Sequence, residues 1–491
     1  MTKRHFAALR QEDIRETGRG RSRVRAIPLS VRRRNLNLLA TLALASALLF
    51  ALGWNTARAM EIQKVISAKG IEAWLVEDHT VPIIAMNFAF TGGTTQDDPG
   101  KEGSVAMLSS LLDEGAADMD SQTFQMALEE NAIKLSFDMG QDRFYGSLRS
   151  LTPNSKTAFD LLAKALQAPH FDDEPIERMR AQWIASAKRS VTQPSAMLAT
   201  AYRQASFGDH PYSKEPNGTV ASLGAITKDD IKRLYSNIVT RDGLTIGVVG
   251  AIDAETLKQV LDEVFAPLPE AGELKAIEDM KITRAGDIHV PFISPQTIIR
   301  FGAPGIDRHD KDFYAAYMVN HILGGGTFSS RLYNEIREKR GLAYNVSSYL
   351  SSLDHVDFMS GGMATRSGNE EQALMLLKQE IQKLGNEGPT QEELDSAKKY
   401  LIGSFPLRFD TSSKIAAQLV AIQVQDLGID YFDKRNSYIE AVTLEDAKRV
   451  AKRLLDTSKL LIVTVGQQIK HAALAPDKTK ANTEGAQESA N

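Results

Sequence analysis

GGGTFSSRLYNEIREKRGLAYNVSS, residues 324–348, decides how this chain is read, because it sets Arg337 and Tyr344 seven residues apart across a helix, a glycine and a strand. Leu332, Ile336 and Leu342 mark a buried helical stripe, and Gly341 is a good stop signal because glycine accepts left-handed backbone. Tyr344, Val346 and Ser348 then alternate as a strand opened by Tyr344. Gly324, Gly325 and Gly326 are not followed by the Lys-Ser/Thr of a phosphate loop, so they read as a turn, either passing close to a peptide or closing a helix after Leu323. A surface arginine beside a half-buried tyrosine is the plain structural reading of the pair. A substrate clamp is the functional one.

Spacing also exposes an internal duplication. Ile226-Thr227-Lys228-Asp229-Asp230-Ile231-Lys232-Arg233 recurs as Val442-Thr443-Leu444-Glu445-Asp446-Ala447-Lys448-Arg449. Each threonine is placed as a helix N-cap, followed by acids that complement the helix dipole. Each copy reaches a strand ending in glycine, at Gly250 and Gly466, 23 residues after its threonine. The conserved offset between cap and strand points to tandem homologous domains. Strands at 83–90 and 244–249 alternate with helices at 174–190 and 415–427, the α+β pattern of a sheet covered by helices.

The whole string 324–348 resembles the C-terminal domain of the pitrilysin/insulinase family of inverted-motif zinc peptidases, in which an Arg and a Tyr at this spacing hold substrate near the zinc. The resemblance runs from about Met60 to Gln468. FAFTGGTTQDDPGKEGSVAMLSSLLDEGA, residues 88–116, has the layout of the family's catalytic segment: a strand, a Gly-Gly turn and a helix entered at Gly103. Active members carry H-x-x-E-H on that helix. Here the matching positions are Ala106, Ser109 and Ser110, and the family's third ligand, a glutamate, aligns with Ser186 in ERMRAQWIASAKRS. Zinc needs three deprotonated N, O or S donors and an open position, which alanine and neutral serines do not supply.

No substitute site is legible. The chain has no cysteine, and none of its nine histidines pairs with another at the i, i+4 spacing that puts two ligands on one helical face. Gly-x-Ser-x-Gly, a P-loop and the G-x-G-x-x-G dinucleotide fingerprint are absent as well.

A chain of 491 residues at 43% hydrophobic and 24% charged is ordinary globular protein with room for two to four domains. Its N-terminus is different. A polar, basic stretch ends in Arg32-Arg33-Arg34 and meets the uncharged run at 35–55, which is a secretory signal or a membrane anchor. Ala57-Arg58-Ala59 favours cleavage after Ala59, and the arginines keep the preceding segment cytoplasmic, so the folded part is expected in a bacterial periplasm. Arg33-Arg34-Asn35-Leu36 resembles a twin-arginine signal, and a basic leader accounts for it as well. The lack of cysteine fits an oxidising compartment. Residues 1–59 hold 12 Lys/Arg and 3 Asp/Glu of the chain's 58 and 62, which leaves the remainder at −13. That acidic body argues against nucleic acid as partner and suits binding of peptide or protein.

The expected organisation is an export segment at 1–59, an N-terminal pitrilysin-like domain with a degenerate zinc motif at 60–266, a linker at 267–286, a C-terminal pitrilysin-like domain with the Arg/Tyr pair at 287–468, and a disordered tail at 469–491. The resemblance implies that the two domains face each other as a clamshell around a peptide chamber. It further implies a non-catalytic subunit of a periplasmic zinc endopeptidase, with no zinc on this chain, zinc on a homologous partner carrying H-x-x-E-H, and Arg337 and Tyr344 as substrate-binding residues. Contact with membrane is expected only through an uncleaved N-terminal segment. The alternatives are a peptide-binding or assembly scaffold without hydrolysis, a core subunit of a respiratory complex and a self-sufficient zinc protease.

Overall fold

The computed structural model describes residues 61–467; the expected export segment and C-terminal tail lie outside them. Period-two patterning builds the first sheet. In the strand Ile83–Thr91, Met86, Phe88 and Phe90 turn to one buried side, and Ala85, Asn87 and Ala89 turn to the other. The strands are β1 (Gln63–Ile66), β2 (Glu72–Glu77), β3 (Ile83–Thr91), β4 (Lys134–Met139), β5 (Arg143–Leu151) and β6 (Thr245–Gly250), in the spatial order β1-β2-β6-β3-β5-β4. A second sheet contains β7 (Gly286–Pro291), β8 (Gln296–Pro304), β9 (Ala343–Leu353), β10 (Val356–Arg366) and β11 (Leu461–Gly466), in the order β9-β10-β8-β11-β7. Read from the other edge, its order matches that of β2-β6-β3-β5-β4, and in both sheets the first pair is parallel and the remaining pairs antiparallel. The strand order is therefore repeated as well as the sequence.

Helices cover one face of each sheet, giving a mixed α+β fold. Over the first lie α1 (Ser104–Ser109), α2 (Ser155–Gln167), α3 (Asp173–Ser190), then, beyond α4 (Pro194–Phe207), α5 (Lys228–Ile238) and α6 (Ala254–Val264). They bury Met107, Leu162, Ile176, Ile231 and Leu261 with Phe88 in one core. Over the second, α7 (Phe313–Asn320), α8 (Glu370–Glu387) and, beyond α9 (Ser412–Val424), α10 (Leu444–Leu454) bury Val319, Leu377 and Val450 against Phe301 and Ile462. The duplicated threonines cap as the sequence predicts: Thr227 accepts from the Asp230 N–H and Thr443 from the Asp446 N–H, each within a reciprocal capping box. Against burial, which acts to raise it, Lys101 and Thr227 hold the Asp230 carboxyl well below its ordinary range.

The other face of each sheet is covered by a helix from the opposite half of the chain. Helix α9 lies on β6 and β3, where a Cβ on Gly247 would come within 2.6 Å of the Ala416 carbonyl, and Gln423 Nε2 donates to the Ile246 carbonyl at 3.0 Å. Helix α4 lies on β11, β8 and β7, packing Leu198, Tyr202 and Ala205 on Val463 and Val465. There, a Cβ on Gly302 would fall 1.8 Å from the Tyr202 hydroxyl oxygen. Small residues on the strands let each helix approach closely. The stretch expected as a linker runs without helix or strand to Gly286, pinned by Met280 N–H to the His355 carbonyl and by Lys275 to Gln96.

Because Gly247 meets backbone atoms of α9, Gly247→Val should lower stability by about 1–3 kcal/mol through overpacking. Gly403, in the helix Gln391–Gly403, has open space where a Cβ would sit, so Gly403→Ala should raise stability by about 0.5–1 kcal/mol. Urea-unfolding midpoints of the two variants should move in opposite directions.

Candidate functional site

Arg337 lies in a helical turn whose segment Tyr333–Glu338 has π-type hydrogen bonding, with Leu332 and Ile336 buried beneath it. Gly341 takes φ +62°, and the Leu342 N–H returns to the Ile336 carbonyl at 2.9 Å, so the helix ends where the sequence predicts. Strand β9 departs from the expected alternation. Ala343 pairs with Thr365 and the next registered pair is Val346 with Met363, which leaves Tyr344 and Asn345 as a bulge opposite Ala364. The extra residue separates Tyr344 from the face shared by Val346 and Ser348: those two are buried, and Tyr344 is 83% exposed.

The fold brings Arg337 and Tyr344 together. The guanidinium lies 4.8 Å from the Tyr344 ring centroid and 4.7 Å from that of Tyr333, and it donates to the Tyr333 hydroxyl. Phe328, an exposed aromatic, meets Tyr333 edge-on at 5.1 Å. Arg337 and Tyr344 open into a groove of about 1130 Å³ bordered by Leu198 of α4. Tyr333 and Phe328 went unnoticed in the sequence, although Tyr333 stands four residues before Arg337, the spacing that stacks side chains on a helix.

The triple glycine has a different cause from the turn expected of it. His321–Gly325 continues α7 as a π-helical turn, and a Cβ on Gly324 would lie 2.6 Å from Ser348 Oγ. Close packing of this turn on β9 requires the missing side chain. No peptide contact is needed to explain it.

The degenerate motif sits on α1, which starts from Gly103 at φ +93°. Asp97 accepts from the Gly103 N–H at 2.7 Å and the Val105 N–H at 2.9 Å, while burial pushes its carboxyl up to about 7 against those two donors. Ala106 is fully buried. The Ser109 and Ser110 hydroxyls donate to the Ala106 carbonyl at 2.8 and 3.1 Å, and Ser110 accepts from the Trp183 indole N–H at 3.1 Å. Ser186, one turn along α3 from Trp183, lines a trough of about 890 Å³ with Glu102 and the Arg203–Glu215 ion pair. Ser110, at the end of α1, and α3, which carries Ser186, are thus joined through Trp183, but the donor set does not fit zinc: it offers a methyl group and neutral hydroxyls, two of them engaged with the backbone. Among the described residues no group of three His, Cys, Asp or Glu is arranged to hold a metal. His210 and His355, 145 positions apart in the chain, approach to 6.4 Å between ring centroids, a proximity no spacing rule could reveal.

Arg337 and Ser186 line different cavities on two flanks of α4, one bordered by Leu198 and the other by Met197 and Ala201. Two sheets of like strand order, a presented Arg/Tyr pair and a helix without metal donors at the aligned positions make up a mixed α+β fold like that of M16-like peptidases. Comparison with known proteins shows where the likeness lies. The profile of the Peptidase M16 inactive domain matches residues 225–401, so that stretch of the chain is similar to the inactive domain of M16 peptidases. A Helicobacter pylori protein named as a non-peptidase homologue is 28% identical over 363 residues, 73% of this chain and 82% of its own. A Streptomyces coelicolor protein named as an uncharacterized zinc protease is 24% identical over 398 residues, 78% of this chain and 85% of its own. The crystal structure of a peptidase M16 inactive domain from Pseudomonas fluorescens superposes with a TM-score of 0.78 at 28% identity, covering 83% of this chain and 98% of that one.

Restoring ligands requires more than the four aligned positions, because Trp183 is bonded to Ser110. Ala106→His, Ser109→Glu, Ser110→His and Ser186→Glu together should bind zinc poorly in calorimetric titration. Adding Trp183→Ala should tighten binding by about tenfold or more, on the scale of changes in groups that support metal ligands.

Proposed function

We propose that this chain is the non-catalytic, substrate-binding subunit of a periplasmic zinc endopeptidase complex, acting beside a homologous subunit that carries H-x-x-E-H. One observation carries the reading: Arg337 is stacked on an exposed Tyr344 at the mouth of an open groove, while the positions that would hold metal in the same chain are Ala106, Ser109, Ser110 and Ser186. A prepared clamp without a reaction centre of its own is useful when the chemistry is housed elsewhere. Arg337 binds a substrate carbonyl or a terminal carboxylate, and Tyr344 donates its phenol to the oxygen that gains negative charge as the peptide is attacked. Hydrolysis belongs to the partner, which holds the zinc.

Export rests on the arginine-rich segment, the apolar run and the Ala57-x-Ala59 site, all outside the described residues. Among the described residues no helix is long and apolar enough to cross a membrane. Membrane contact, on this reading, is limited to the N-terminal segment where it stays uncleaved.

Two measurements test the assignment. Metal analysis of the isolated chain after dialysis should find well below one zinc per chain; a full equivalent with chelator-sensitive cleavage would return the chain to the active peptidases. In the complex reconstituted with its H-x-x-E-H partner, Arg337→Ala should chiefly raise KM. Tyr344→Phe should lower kcat by about 100- to 1,000-fold, the usual cost of one oxyanion donor. Wild-type rates with both residues replaced would leave the scaffold reading in its place.

A further inference from the structure

The groove beside Arg337 carries a charge pattern that the clamp does not account for. Register puts Arg300 of β8 opposite Gly362, and Arg366 of β10 opposite Gln296, on one face of the sheet. Helix α4 covers that face over β7, β11 and β8 and leaves the side toward β10 and β9 open. Gly362 and Ala364 form the floor there; a Cβ on Gly362 would meet only the Ile299 carbonyl, at 3.0 Å. Arg300, Arg337 and Arg366 all line this space, with Glu338 as the single acid among the lining residues.

None of the three arginines has a carboxylate partner among the described residues, whereas Arg143, Arg178, Arg203, Arg331, Arg449 and Arg453 each close on one. Arg300 is held instead by neutral neighbours. Its Nη2 donates to the Tyr349 hydroxyl at 3.1 Å, its Nε approaches Ser360 Oγ at 3.4 Å, and its guanidinium lies 4.5 Å over the Tyr202 ring. A guanidinium fixed in this way keeps further N–H donors free in a planar fork suited to a carboxylate. Arg366 is exposed at the end of β10. Four residues of register separate the two arginines, about 14 Å along the sheet at the rise of an extended chain. That matches side chains i and i+4 on one side of an extended peptide. The cationic groove stands out on a body that is −13 beyond residue 59.

We infer that the groove selects extended peptide segments bearing acidic side chains, with Arg300 and Arg366 as specificity-determining residues beyond the Arg337–Tyr344 pair. The inference rests on the substrate-binding reading above and adds the class of substrate. The two arginines read charge on side chains i and i+4 of the segment, and the clamp holds the backbone or terminus.

Isothermal titration of the full chain tests this with three acetylated, amidated nine-residue peptides that differ only in carrying Glu, Gln or Lys at four alternate positions. The Glu peptide should bind about tenfold or more tighter than the Gln peptide and the Lys peptide more weakly than either, with the gap narrowing as salt rises from about 50 to 500 mM. Arg366→Gln, an exposed change that leaves the core intact, should weaken the Glu peptide about 3- to 10-fold and leave the Gln peptide unchanged. Arg300→Gln should act in the same direction. Equal affinity for the Glu and Gln peptides, or tighter binding of the Lys peptide, overturns the charge selection while the peptide-binding role stands. No binding of any of the three peptides overturns that role and the inference with it.

Discussion

The structure depends on the close approach of each exchanged helix to the sheet of the opposite half. Helix α9 reaches β6 only because position 247 has no side chain, and α4 seats Tyr202 on β8 only because position 302 has none. A sheet face covered in this way needs an apolar or small-residue surface, and both strands supply one. The consequence is that each sheet loses part of its open face to the other half. What remains uncovered on the second sheet, the side toward β10 and β9, is the groove. Arg337 and Tyr344 are presented there because α4 stops short of them.

A local irregularity then decides which side chains the groove receives. The bulge at Tyr344 and Asn345 changes the phase of β9, so that Ala343, Val346 and Ser348 serve the core while Tyr344 turns to Arg337. Without the extra residue, strict alternation would place Tyr344 on the buried face beside Val346. The neighbouring glycines serve the same strand from the other side, since the π-helical turn at 321–325 packs directly on Ser348. The placement of Arg337 and Tyr344 and the packing of the core are therefore set by the same few residues.

The helix at positions 104–109 is held in place by hydrogen bonds. Asp97 accepts from the N–H groups at its start, Ser109 and Ser110 bond to the Ala106 carbonyl, and Ser110 also meets Trp183. These bonds satisfy the half-buried serine hydroxyls. The helix thus keeps its place in the core, and the cavity near Ser186 is a separate trough from the groove of Arg337.

Much of this was legible in the residues alone. The repeated Thr-x-x-Asp caps, the glycine stop at 341, the alternation in 83–90 and the absence of metal donors at 106, 109, 110 and 186 depend on local chemistry, which one chain segment carries by itself. Tertiary structure decided the rest. The bulge is set by pairing with β10, and the triple glycine is explained by Ser348, 24 positions beyond Gly324. Trp183 meets Ser110 across 73 positions. Arg300 and Arg366 become one cationic surface through register between β8 and β10. Such features arise from contacts between distant segments, and no periodicity within a segment encodes which surfaces will meet.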